Sequence, residues 1–397
     1  DDDEIVGCMD AAACNYDEQA TDDSGACTYA DGICESCEGG VVIDKDTDND
    51  GICDEDEAFI STWKLENGDQ SITLPLPEGF NYDFTVDWGD GSELSEVTSY
   101  DDADITHTYA AAGEYEITIR GLMEAISFAT INPDTYFWDI CNQPHPDSNK
   151  IIAVPNLGSM GWKSFASAFA CCENLLVVNG GDTSEVTNMQ GMFFSALVAD
   201  PVTTHNEDTG IWDTSSVEDM SRMFAHAKVA NPDTRNWNTS QVTDMSAMFW
   251  NAPAADPDVS DWNTSKVTNM HGMFAHTDVA EPNTSQWDTS SVTNMYKMFW
   301  GAHKAEPDVR DWDTSRVTNM HGMFGHTRMA DPDVSDWDTS RVTNMSFMFA
   351  YADAANPDTS EWNISSVTEA NAKYMFCDAV HPPVNPDLSD TSCPAED

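Results

Sequence analysis

The sequence predicts a multidomain chain whose larger part is a solenoid of about nine 25-residue coils, preceded by a β-sandwich and a small module held by disulfides and calcium. Three observations predict it. Trp212, Trp237, Trp262, Trp287, Trp312, Trp337 and Trp362 follow one another at a fixed step of 25 residues. A period of ~20–50 residues marks an array in which each unit buries its apolar face only against its neighbours. Six of the 11 cysteines (Cys8, Cys14, Cys27, Cys34, Cys37 and Cys53) fall in the first 53 residues, the density of a module stapled in an oxidising compartment. Between these regions the text alternates apolar and polar residues with the period of strands.

Composition bounds the function. With 397 residues, 40 % of them hydrophobic, the chain has material for packed cores in two or three domains. The 71 Asp and Glu against 16 Lys and Arg give a net charge of −55, which repels phosphate backbones and anionic membranes. Nucleic acid is excluded as a partner. The acidity reads either as a solubilising coat or as divalent-cation binding, and the two are compatible. No stretch approaches the ~20 apolar residues of a membrane span. The chain opens DDDEIVGC without Met or signal peptide, so it reads as a processed, extracellular form.

In chain order, residues 1–57 form the cysteine-rich module. Cys34 and Cys37 make a CxxC, but no second CxxC or HxxxH stands at finger spacing, so disulfides are favoured over zinc. The run DKDTDNDGICDEDE places Asp46, Asp48 and Asp50 at loop positions one, three and five, Gly51 at six, Ile52 at seven, Asp54 at nine and Glu57 at twelve. A hard cation collects oxygens from alternate residues of such a turned loop, the Ile52 carbonyl and both Glu57 oxygens included. Calcium is therefore the expected cofactor, and a solvated acidic linker is the alternative.

Residues 58–121 hold SITLPL, YDFTVDWGDGS and ITHTYAAAGEYEITIRG, period-two strands separated by turn-formers. No nucleophile and orienting acid accompany His107, so it reads as a hydrogen-bonded strand residue. Residues 122–376 hold the repeats and 377–397 a C-terminal cap. In the unit of Trp262, Val267, Met270, Met273, Phe274 and Thr277 are spaced like one face of a short helix, with Thr264 and Ser265 as N-cap candidates. Pro257 and Val259 before the tryptophan suggest a very short strand. At ~4.8 Å per coil the rod is roughly 40 Å long. Methionines such as Met320 and Met323 recur in every coil and fill the core. The tryptophans are expected as half-buried rungs, with a carbohydrate-stacking stripe as the alternative.

The step from Phe193 to Phe224 is 31, so VTTHNEDTG must hold a six-residue insertion, and the last unit, VTEANAKYMFC, is stretched by two. Cys377 is placed to pair with Cys393 and Cys141 with Cys171 or Cys172, and an odd total leaves one thiol over. After the repeating Phe, His226, His276 and His326 alternate with Trp250 and Trp300, while His271 and His321 sit in the same alternate coils. This 50-residue superperiod reads as duplication of a two-coil unit or as a histidine stripe.

Several stretches carry resemblances. GCMDAAACNYDEQATDDSGAC is similar to a short cysteine module of extracellular proteins, and the acidic loop looks like the calcium repeats of thrombospondin type 3 or dockerin modules. VDWGDGS with HTYAAAGEYEITI resembles the PKD domain, implying structural roles for Asp87, Trp88, Gly89, Asp90, Gly91, His107, Tyr109, Gly113 and Tyr115. FASAFACCENL has the AFxxCxxL signature of BspA-type leucine-rich repeats, and W(D/N)TSxVT(D/N)MxxMFxxA resembles the 26-residue repeat of the BspA-like, DUF285 surface proteins. The resemblance covers residues 59–376 and implies a leucine-rich-repeat-like solenoid. Where that family reads FNQDIS this chain has Pro-Asp or Pro-Asn. The acidic start resembles the run after the lipidated Cys of surface lipoproteins, implying a lipid anchor upstream of Asp1.

No GxSxG, HExxH, phosphate loop or distinguishable acid pair is present. The expected function is therefore non-enzymatic: adhesion or ligand binding at a cell surface, to an extracellular protein or glycan. Trp250, His276, Trp300 and His326 are the candidate ligand-binding residues. The alternative is a structural subunit of an extracellular filament, sheath or phage fibre that assembles with itself.

Overall fold

The computed structural model describes residues 4–30, 32, 34–44, 57–130, 140–198 and 212–379. The chain divides into two compact units, Asp1–Ala58 and Phe59–Asp397.

In the first unit β1 (Val6–Gly7) pairs in parallel with β2 (Asp22–Asp23), and β3 (Glu35–Glu38) pairs antiparallel with β4 (Val41–Asp44). The two-residue loop of that hairpin is Gly39-Gly40, both at positive φ, the conformation in which a tight turn matches strand twist. Disulfides join Cys8 to Cys27 and Cys14 to Cys37, and Cys34 is also disulfide-bonded. Asn15, from the ACNY core, donates to the Ala26 carbonyl at 2.8 Å and accepts from the Thr28 N–H at 2.8 Å, so the motif pins one loop to another. Of the expected calcium ligands only Glu57 falls among the described residues; Asp46, Asp48, Asp50, Ile52 and Asp54 lie outside them.

The second unit opens with β5 (Phe59–Leu65), β6 (Ser71–Thr73), β7 (Tyr82–Asp87), β8 (Ser95–Val97), β9 (Thr106–Thr108) and β10 (Gly113–Met123), followed by β11 (Ile151–Asn156) and β12 (Val177–Val178). Along β5 and β7 every second side chain is buried, as the alternating sequence requires. Six strands make one sheet in the order β12-β11-β5-β10-β7-β8, and β6 pairs with β9. Strand β10 crosses the expected boundary at 121/122, and β11 and β12 extend the same sheet into the region of the repeats. One apolar core runs from Phe59 to Phe376, and a second buried cluster holds Phe194, Ala225, Ala247, Trp250 and Ala275, with Trp300 packed against it.

The WGDG turn is tied to the HTY strand. His107 meets Asp90 at 2.8 Å and stacks on Trp88 at 5.0 Å, and the Tyr109 hydroxyl donates to the Trp88 carbonyl at 2.9 Å. Gly89 is at φ +74, and a Cβ there would stand 2.2 Å from the Glu116 carbonyl oxygen. The hydrogen bond from His107 holds the Asp90 carboxyl down at about 2.

Among the described residues between β12 and Thr368 the repeats contain neither the expected strand nor the expected helix. A parallel ladder of single-residue bridges joins Ser164, Asn188, Asp219, Asp244, Asn269, Asn294, Asn319 and Asn344 in sequence. Around Trp262 the backbone donors alternate in destination. Met270, Gly272, Phe274 and His276 donate to Asn294, Tyr296, Met298 and Trp300 in the next unit, whereas Met273, Ala275 and Thr277 donate to Met270, Gly272 and Phe274 three residues back. An α-helix sends every N–H four residues back. This stretch is instead a series of turns zipped laterally, and its three-residue pitch is what imitates a helical face. The Thr264 hydroxyl caps no helix: it donates 2.9 Å to the Asp288 carbonyl of the next unit, with the same bond at Thr214, Thr239, Thr289, Thr314 and Thr339.

The tryptophans are buried, not half-exposed. Trp237, Trp262, Trp287, Trp312, Trp337 and Trp362 are 3–5 % accessible, Trp312 and Trp337 stack at 6.4 Å with planes 2° apart, and Trp337 Nε1 donates to the Val309 carbonyl at 3.0 Å. Both ring faces are covered, which removes the carbohydrate-stacking alternative at these positions. The phenylalanines form a second buried ladder, Phe249 to Phe274 at 5.8 Å and Phe299 to Phe324 at 5.7 Å. The insertion 202–210 lies outside the described residues, but the ladder steps by 31 from Asn188 to Asp219 across it. The two extra residues of the last unit become one turn of helix, α1 (Glu369–Ala372), capped by Thr368. Cys141 pairs with Cys171, Cys172 is the free and buried thiol, and Cys377 is disulfide-bonded, while Cys53 and Cys393 lie outside the described residues.

Candidate functional site

The lateral zipper determines which side chains reach the surface. Each unit needs two residues in the left-handed region, because a turn closed by an i→i+3 bond takes φ > 0 at its third position in the type II form. Ser167, Gly191, Arg222, Ala247, Gly272, Lys297, Gly322, Phe347 and Tyr374 supply the first column, at φ between 52° and 61° or close to it. Cys171, Ser195, His226, Asn251, His276, Gly301, His326, Tyr351 and Asp378 supply the second. Histidine and asparagine tolerate this conformation better than most residues. The column of His226, His276 and His326 thus has a local backbone reason to be there.

These columns, with the residue preceding each, form one face. Trp250 meets His271 at 5.9 Å and His276 at 5.8 Å, and Trp300 meets His326 at 4.7 Å. His271, Tyr296, His321, Phe347 and Tyr374 form a continuous outer ring ladder with centroids 4.7, 4.8, 5.6 and 5.0 Å apart. Lys297 Nζ lies 5.4 Å from the Tyr296 ring centre and 4.7 Å from that of Trp300, cation–π distances. The four residues proposed from the alternation are therefore brought together in pairs, Trp250 with His276 and Trp300 with His326. Trp250 is only 8 % accessible, so it supports the face more than it presents itself.

The superperiod has a packing cause. A Cβ on Gly272 would stand 2.3 Å from Trp250 Cε3, and one on the equivalent Gly322 would stand 2.6 Å from Trp300 Cε3. A tryptophan in one unit thus requires glycine in the next, which makes the two-unit alternation an interlock between neighbours.

Charge sets this face apart. From Ser221 to Tyr351 the four columns hold 24 residues without one Asp or Glu, in a chain where 71 of 397 are acidic. They hold instead Arg222, Lys297, five histidines, Trp250, Trp300, Tyr296, Tyr351 and Phe347. Asp219 and Asp244 border the face on one side, where burial raises the Asp219 carboxyl, and Asp278 stands near His276 on the other. Burial pushes His226, His271 and His321 down to about 4, and His276 and His326 also below the usual imidazole value, so the imidazoles are neutral at pH 7. Reasoning on the histidine and tryptophan alternation missed Arg222, Tyr296, Lys297, Phe347 and Tyr351. Aligning the units at period 25 and asking which columns lack acid finds them.

No group of three His, Cys, Asp or Glu able to hold a metal ion occurs among the described residues. A separate open concavity of about 520 Å3 is lined by Lys64, Glu66, Lys150 and Leu176. Its Lys150 is already held by Asp69 at 2.7 Å and Asp147 at 2.5 Å. No described helix is long and apolar enough to cross a membrane.

No curated protein and no solved structure matches the chain. Among family models, the one described as "Mycoplasma protein of unknown function, DUF285" matches residues 163–286 and again 273–389. These matches span the bridge ladder, both ring ladders and the acid-free face, and together they cover more than half of the 397 residues. The chain belongs to the DUF285 family.

Proposed function

We propose that this protein is a non-enzymatic extracellular surface protein that binds a ligand through the acid-free face of a leucine-rich-repeat-like solenoid, serving adhesion. The observation that carries the reading is the absence of carboxylates from the 24 positions of this face, 12 of them buried and 12 reaching the surface, in a chain with net charge −55. Tyr, Trp and Arg enrichment with loss of Asp and Glu is the composition of a docking patch. The disulfides agree with an oxidising compartment.

The PKD-like sandwich and the calcium loop are read as the stalk that carries this face. Chelation is expected to lower the melting temperature of the N-terminal unit, and Asp46→Ala to abolish that sensitivity. Equal melting with and without chelator would refute the loop. Binding is tested by exposing the full chain to glycan and extracellular-protein arrays beside the Arg222→Glu/Lys297→Glu variant. A fragment starting at 122 is unsuitable, because β11 would lose its partner β5. A hit that the double variant loses supports the reading; hits shared equally by both overturn it.

A further inference from the structure

The face differs from a sugar-stacking platform in how its rings stand. Tyr296 and His321 are stacked with planes 8° apart at 4.8 Å, and His326 and Tyr351 20° apart at 4.5 Å. Lys297 caps Tyr296 and Trp300. These two pairs spend ring faces on one another, while Trp250, His271 and Trp300 meet their neighbours edge to face; the face offers a partner ring edges, the positive rim of the aromatic quadrupole, and the Lys297 cation. No carboxylate among the described residues forms an ion pair with Lys297. Such a surface attracts carboxylates spaced along a line.

The same molecule carries that line. Asp256, Glu281, Glu306 and Asp331 are exposed and recur at 25-residue intervals, as do the exposed Asp288, Asp313 and Asp338. The Glu281 and Asn356 amides donate to Asp256 and Asp331 Oδ1 at 3.0 and 2.8 Å, which holds parts of the column in register. Because the same units carry the acidic columns and the acid-free face, both repeat with one spacing. At physiological salt the Debye length is about 8 Å, so the repulsion between two copies of charge −55 is screened beyond the contact zone while complementary rungs in contact still attract.

We propose that the acid-free face docks the acidic column of a second copy of this chain. The two surfaces are different parts of one molecule, so the contact is head-to-tail and continues from copy to copy. This rests on reading the face as the docking surface and names its occupant.

The test is sedimentation velocity of the full chain over a concentration series at pH 7.5 and 150 mM salt (the usual physiological value), with and without calcium. Four samples are run: wild type, Arg222→Glu/Lys297→Glu, Glu281→Lys/Glu306→Lys, and an equimolar mixture of the two variants. Wild type is expected to form species larger than dimers. Each variant alone should associate about tenfold more weakly, and the mixture should regain association. Near-UV circular dichroism checks that each variant is folded, and the Gln versions replace any that is not. A wild type that stays monomeric overturns the self-docking. A closed dimer indifferent to both charge reversals overturns it in favour of an apolar twofold contact, and association only with calcium overturns it in favour of metal bridging between carboxylates. A monomer that still gives an array hit lost in Arg222→Glu/Lys297→Glu removes the second copy but keeps the face as the binding surface.

Discussion

At Gly272 two constraints coincide: φ is +59 and a Cβ would stand 2.3 Å from Trp250 Cε3. Left-handed backbone costs an L-residue about 1–2 kcal/mol, and overpacking about 1–3 kcal/mol. Gly272→Ala is expected to destabilise by about 3 kcal/mol in denaturant unfolding. In a Trp250→Ala background only the backbone part should remain, so a full penalty there would refute the interlock. A second site concerns Thr359. Thr234 and Thr284 Oγ1 donate to the Asp258 and Asp308 carbonyls, while Val259, Val309 and Val334 fill the same slot in other units. Thr359 Oγ1 is buried without a partner. A buried unsatisfied hydroxyl costs about 1–3 kcal/mol, so Thr359→Val should raise stability by about 1 kcal/mol, and a loss would show that the hydroxyl is satisfied. The need for glycine beside tryptophan was not legible in sequence, because HG after W is a letter pattern until the lateral contact between units is known.

At the scale of the repeating unit, the fixed step of Trp and Phe was legible and so was the burial of Val, Met and Phe. The local conformation was not. Val267, Met270, Met273 and Phe274 suit a helical face and a chain of three-residue turns equally, and only the destination of the N–H groups separates them. The left-handed columns were hidden for a similar reason, since Arg222, Lys297 and Phe347 stand where Gly272 and Gly322 do. The same burial that shapes the face makes it pH-sensitive. His226, His271 and His321 bind protons at about 4 in the fold against ~6.5 when unfolded. The unfolded chain therefore binds more protons below pH 6.5, and stability falls as the pH drops from about 6.5 toward 4. Arg222 and Lys297 push His271 the same way, and Asp244 opposes them. Asp219 works in the opposite direction, because its raised carboxyl holds a proton more readily in the fold. Tyrosine already stands in this column at Tyr296, so His271→Tyr/His321→Tyr should flatten the fall in melting temperature between pH 6.5 and 5. An unchanged slope would place the sensitivity elsewhere.

For the whole molecule, the step of 31 and the helical turn α1 show that the lateral bonding tolerates irregular spacing: Asn188 still bridges Asp219, and the Met345 N–H donates to the Asn371 carbonyl at 3.0 Å. The sequence divided the chain at 121/122, but β10 runs through that point and β11 pairs with β5. A strand's partner is a long-range fact that local alternation does not carry. The acid-free face belongs to the same scale, since it exists only when six units are superposed. The most direct test of its role is covalent labelling of His, Lys and Tyr side chains in the full chain, free and bound to whichever partner the arrays or sedimentation identify. Protection is predicted at His276, Lys297, His326 and Tyr351; labelling of these four that does not change on binding would contradict the account.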